Sequence, residues 1–66
     1  KVWTTPEFDV VVHNGNRVKK RMFQEKLPAN TERLRVYDSK NEFIGIFEFS
    51  KERGDFKPVK MFYENN

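Results

Sequence analysis

Two runs of residues, Arg33-Leu34-Arg35-Val36-Tyr37 and Phe43-Ile44-Gly45-Ile46-Phe47-Glu48-Phe49, lie on either side of the turn formers Asp38-Ser39-Lys40-Asn41-Glu42. Successive side chains of a strand point to opposite faces, so in the first run Leu34 and Val36 share one face while Arg33, Arg35 and Tyr37 share the other. Two such runs joined by a short polar turn read as antiparallel strands, and this pair ties the chain to a sheet. Within the second run, Phe43, Ile44, Ile46, Phe47 and Phe49 supply core and barrel-rim packing. Gly45 marks a place where another backbone comes close.

The remaining segments extend the same pattern. Phe8 to His13 reads as a strand, and Asn14-Gly15 after it as a type I′ turn with a returning strand from Asn16, because Asn-Gly suits the two positive φ angles of that turn. The stretch Lys19 to Leu27 either continues as strand or forms one short helix ended by Pro28. Pro28 to Thr31 reads as loop. Ser50 to Asp55 is a second turn leading to a last strand, Phe56 to Tyr63, in which Pro58 demands a sheet edge or a bulge. The expected fold is mainly β: a small barrel or curled sheet of four to six short strands with at most one short helix.

A chain of 66 residues buries only about 60% of the surface exposed by its unfolded form, so its core is small. Hydrophobic residues are 36% of the sequence and charged residues 35%, and the balance is tipped toward folding by seven Phe, one Trp and two Tyr. Each ring removes roughly 150–250 Å² from water when buried. The chain is expected to be a single domain, residues 1–66, with residues 1–7 as a linker. Its start at Lys1 rather than Met points to a piece of something longer. No cysteine is present and there is a single histidine, which leaves no expected metal or other cofactor. No stretch approaches the ~18 apolar residues of a membrane-spanning helix, and no signal-peptide pattern is seen, so a cytoplasmic protein without a membrane partner is expected.

Catalysis finds little to work with. His13, Ser39 and Ser50 occupy or flank turns with nothing in the sequence to assemble them, and Gly15, Gly45 and Gly54 are too dispersed for a phosphate loop. The cations say more. Thirteen Lys and Arg against ten Asp and Glu give a net charge of +3, with an isoelectric point near 9.4, a modest bias toward a polyanionic partner. If the chain returns as a strand after Gly15, Arg17, Lys19 and Arg21 form one cationic stripe; Arg33 and Arg35, beside Tyr37, form a second. Such stripes suit a nucleic-acid backbone or a solvated face equally well. The run Glu42 to Phe49 does not match an RNA-recognition motif, because the cation and glycine that precede that motif's aromatics are missing.

In chain order, His13 to Lys19 (HNGNRVK), Leu34 to Phe49 (LRVYDSKNEFIGIFEF) and Phe56 to Phe62 (FKPVKMF) resemble the C-terminal PUA-like domain of the bacterial tRNA pseudouridine synthase B family. The resemblance runs from about Val10 to Tyr63. It implies a PUA-like pseudo-barrel that follows a catalytic domain converting a uridine of the tRNA T-loop to pseudouridine, the catalytic residue belonging to that upstream domain. Carried over onto this sequence, tRNA contact falls to Arg17, Lys19, Lys20 and Arg21 after the Asn-Gly pair and to Lys57 and Lys60 around Pro58. The competing expectation is a β module in which Trp3, Phe8 and Tyr63 pack on a protein partner or on the rest of the chain without touching RNA.

Overall fold

The computed structural model describes residues 1–64. Four strands, β1 (Val2–Trp3), β2 (Arg33–Tyr37), β3 (Phe43–Ser50) and β4 (Asp55–Met61), form one mixed sheet in the order β1-β2-β3-β4, with β1 parallel to β2 and the other pairs antiparallel. The mainly β expectation holds, as do the two strands around Asp38 and the strand after Asp55. The carboxylate of Asp38 organises the first turn: its Oδ1 accepts from the backbone N–H of Lys40 and of Glu42, both at 2.9 Å, the local bonding that makes Asp a turn residue.

The segment expected to open the fold as a hairpin is instead helical. A 3₁₀ turn, Pro6–Phe8, runs into α1, Asp9–His13. Proline starts such a turn well because its fixed φ suits the first helical position. Three valines in a row are poor helix formers, but the helix directs Val12 fully into the core. Gly15, at φ 69°, ends it: Asn16 N–H bonds to Val11 O and Gly15 N–H to Val12 O, both 3.1 Å, the paired bonds of a Schellman cap. A type I′ turn needs positive φ at both central residues, and Asn14 has φ −88°. The Asn-Gly pair is therefore a helix stop.

After the cap the chain does not return as a strand. Val18 exchanges both backbone hydrogen bonds with Phe56 on the outer edge of β4, each 2.9 Å. A 3₁₀ turn, Lys20–Met22, follows, and Phe23 then bridges Thr4 while Gln24 N–H reaches Trp3 O at 2.7 Å. One segment thus runs from the free edge of β4 to the free edge of β1 and closes the curled sheet into a pseudo-barrel, leaving fewer unpaired edges. Neither a continuous strand nor a helix over Lys19 to Leu27 is present. Residues 1–7 do not run free as a linker: Val2 is buried and pairs with Val36, and Thr4 is fully buried.

The core inside this closure comprises Val2, Val12, Val18, Phe23, Leu34, Val36, Ile44, Phe47 and Phe56. Two register shifts bend the sheet around it, at Val36/Tyr37 and at Ile46/Phe47. At the second, Pro58 faces Phe47 and Lys60 faces Ile46, so Val59 is an extra residue on an edge strand. Both conditions that proline demands are met there.

One acid binds the start of the chain to the β2–β3 turn. Asp9 accepts hydrogen bonds from Thr4 Oγ1 (2.6 Å), Ser39 N (2.9 Å) and Ser39 Oγ (2.5 Å). Burial works against its ionisation, but the bonds from Ser39 and Thr4 and the nearby His13 outweigh it and hold the carboxyl below its ordinary value of 3.8. Because the folded-state value is depressed, the stabilisation is present above the unfolded value and is lost as pH falls through the folded one. An NMR titration is expected to place Asp9 below 3.8, and Asp9→Asn is expected to lose less stability on acidification than the parent. An Asp9 that titrates at or above its ordinary value contradicts this account.

Candidate nucleic-acid interface

The two groups of cations meet different fates. Arg17 donates from Nε to both carboxylate oxygens of Asp55, at 3.1 and 3.3 Å, against a buried acid that also has Arg53 4.0 Å away. Lys20 and Arg21 lie on the 3₁₀ turn, with Lys20 Nζ 4.9 Å from the ring centre of Phe49 and the Arg21 guanidinium 5.3 Å from that of Phe8. Lys19 is exposed in extended backbone. The stripe expected from a returning strand does not exist. Its three cations, together with Lys20, are spread along the closing segment, and Arg17 is neutralised.

The second group is assembled by strand register. On the side of the sheet away from the core, Arg33, Glu48 and Lys57 form one row across β2, β3 and β4; Arg35, Ile46 and Lys60 form the next. Arg33 is ion-paired to Glu48, an exposed pair of the kind that contributes about 0–1 kcal/mol and is weakened by salt. The Arg35 row carries no carboxylate. Lys57 and Lys60 are three apart, a spacing that sends side chains to opposite faces of a regular strand. The extra residue Val59 restores them to the same face.

Next to these rows stands one that the sequence reading missed. Trp3 stacks on Tyr37 (ring centres 5.3 Å apart, planes 26°), Tyr37 meets Phe43 (5.2 Å) and Phe43 stacks on Phe62 (5.2 Å, 29°). Lys1 lies 5.6 Å from the Tyr37 ring and Lys60 5.3 Å from that of Phe62. Phe43, expected in the core, is half-buried in this outer row. The alternation of β2 placed Tyr37 outward correctly. Nothing local could place Trp3, whose strand is two residues long.

His13 ends α1 with Nε2 2.8 Å from Asp38 Oδ2 and its ring 4.3 Å from that of Tyr63, nearly parallel at 9°. Among the described residues no serine or threonine hydroxyl hydrogen-bonds to this couple, and the Ser39 hydroxyl donates to Asp9 instead. It joins the helix end, the turn and the segment after β4. Among the described residues there is no cluster of three or more metal-ligating side chains, and no helix long and apolar enough to cross a membrane.

Fold and surface together define a small, mainly β domain whose distinctive feature is a sheet face of cations bordered by aromatics. Its sequence is 37% identical over 65 residues to tRNA pseudouridine synthase B of Lachnoclostridium phytofermentans, an alignment that covers 94% of this chain and 21% of that protein. The resemblance drawn from three segments thus holds across nearly the whole chain, which is homologous to the C-terminal region of tRNA pseudouridine synthase B, consistent with a C-terminal domain of such an enzyme. The chain spans about a fifth of the length of that curated relative. No family model matches it, and no solved structure matches it significantly.

Proposed function

We propose that this chain is the accessory, PUA-like RNA-binding domain of a cytoplasmic tRNA pseudouridine synthase, holding tRNA by its backbone while an upstream catalytic domain of the same chain converts a uridine of the T-loop to pseudouridine. The homology supports the tRNA-modification setting. The observation that carries the binding role is the outer sheet face, where Arg35, Lys57 and Lys60 converge with no carboxylate in the Arg35 row. A-form RNA offers a protein mainly phosphates and 2′-hydroxyls, and cations held at fixed spacing on a sheet suit such a target. Lys19, Lys20 and Arg21 on the closing segment form a secondary cationic surface. The ion-paired Arg17 and Arg33 are placed to contribute less.

With about three phosphates engaged, raising salt from 50 to 200 mM weakens binding roughly 40-fold, about 2.2 kcal/mol, and affinities of ~10⁻⁴ to 10⁻⁶ M are expected of the domain alone. Coupling to a second RNA-binding surface on the same chain multiplies that effect. The test is the double variant Arg35→Glu/Lys60→Glu, titrated with tRNA across that salt range. Binding is expected to fall by about tenfold or more at low salt and the slope of log K against log salt to shrink by about 1.8, with unfolding unchanged because both side chains are exposed. Parental affinity and slope in that variant refute the role given to this face. Val10 and Val59, 58% and 51% exposed, favour a second reading in which the domain packs on the remainder of its chain. In that case Val10→Ser weakens the inter-domain contact and leaves tRNA binding by the domain alone untouched.

A further inference from the structure

We propose that the row Trp3, Tyr37, Phe43 and Phe62 is a stacking site for an unpaired nucleobase, so that the RNA held by this face includes a single-stranded or splayed nucleotide; this rests on the RNA-binding reading above. The four rings lie on the opposite side of the sheet from Leu34, Val36 and Phe47, which pack inward. They form a continuous ladder, each ring centre 5.2–5.3 Å from the next, and its end member Phe62 is 51% exposed. Trp3, Tyr37 and Phe43 are half-buried and in contact with one another, so the ring most open to a ligand is that of Phe62. The ladder is also held in place: Trp3 Nε1 donates to Asn41 Oδ1 at 2.9 Å, and Asn41 adopts a positive φ of 70° in the turn that presents it.

The choice of a nucleobase as occupant follows from charge. Lys1 and Lys60 sit over the Tyr37 and Phe62 rings, and Arg35 lies one row away with no ion pair among the described residues. Rings flanked by cations fit a flat, electron-rich group attached to phosphates. Every base has a π-face, and stacking on an aromatic side chain tolerates any sequence. A base paired within a duplex is already covered on both sides and gives such a row nothing to hold. The Trp3 indole N–H is already given to Asn41, so the row holds bases by their faces, which makes the site a holder of bases in general.

Trp3 is the chain's single tryptophan, so its emission reports on the ladder directly. The chain is titrated at low salt with a short oligoadenylate, with an abasic strand of equal phosphate number, and with an RNA duplex. The oligoadenylate is expected to quench Trp3 and to bind about tenfold more tightly than the abasic strand, and Phe62→Leu, which keeps the apolar bulk but removes the π-face, to bring that ratio toward one while abasic binding is unchanged. Equal binding of both strands with Trp3 undisturbed overturns the stacking site and leaves the phosphate-binding role standing. Failure of strands and duplex alike removes both. Quenching by an apolar peptide in place of the oligoadenylate assigns the row to protein packing and likewise overturns the inference.

Discussion

Phe56→Ala is expected to leave the chain close to unfolded at room temperature. Phe56 is fully buried and touches three parts of the molecule at once. Its ring meets the edge of Phe23 at 6.1 Å and of Phe49 at 5.3 Å, and its backbone makes both hydrogen bonds that fasten Val18 to β4. Truncating a buried Phe costs about 3–5 kcal/mol in lost burial and residual cavity. A domain of 66 residues has roughly 3–10 kcal/mol in all. At roughly 4–8 °C per kcal/mol for a domain of this size, the midpoint drops by at least about 12 °C. Hydrogen exchange is expected to show Val18 to Gln24 and β4 losing protection together, because the closing segment and the edge strand share this ring. Phe62→Ala, at the half-exposed end of the outer row, serves as the control and is expected to stay within about 1 kcal/mol of the parent. A Phe56→Ala chain that melts within a few degrees of the parent contradicts the account of closure.

What could be read in advance follows from the range of the forces involved. β2, β3 and their turn were legible because alternation and the Asp38 carboxylate act over neighbours a few residues apart. Pro58 was legible because a missing N–H restricts any strand that contains it. The helix at Asp9–His13 was not. Its valines carry a β preference, and a type I′ turn and a Schellman cap both want glycine at positive φ; what separates them is the φ of Asn14, set by whether Val12 has a core to enter. Val2–Trp3 is too short for periodicity and pairs with Val36 in the middle of the chain, so no window of sequence reveals it.

The site divides along the same line. Arg33, Arg35 and Tyr37 share a face by simple alternation and were grouped correctly. The stripe from Arg17 to Arg21 depended on a strand that tertiary closure replaced, and Arg17 then met Asp55, whose position no local pattern foretells. Lys57 and Lys60 share the outer face only through the extra residue at Val59. Proline there hinted at a bulge, but the register that results had to be seen.

Gly45→Ala is expected to separate β4 from the sheet. A Cβ at this position lies 2.3 Å from the carbonyl oxygen of Lys60, 3.1 Å from Met61 Cα and 3.2 Å from the Lys60 carbonyl carbon. All three neighbours are backbone, so no rotamer change relieves the overlap. Relief requires pushing apart two strands whose spacing is fixed near 4.8 Å by their hydrogen bonds. Overpacking of ordinary cores costs about 1–3 kcal/mol, occasionally more; with only backbone to move, about 3 kcal/mol or above is expected, on the scale of the domain's whole stability. The loss is directional. Amides linking β3 to β4 are expected to exchange faster than those linking β2 to β3, and tRNA affinity to fall even where the fold survives, because Lys57 and Lys60 ride on β4 while Arg35 stays on β2. If Gly45→Ala unfolds within about 0.5 kcal/mol of the parent with its β3–β4 amides still protected, the close approach of the two backbones is not what holds the cationic face together.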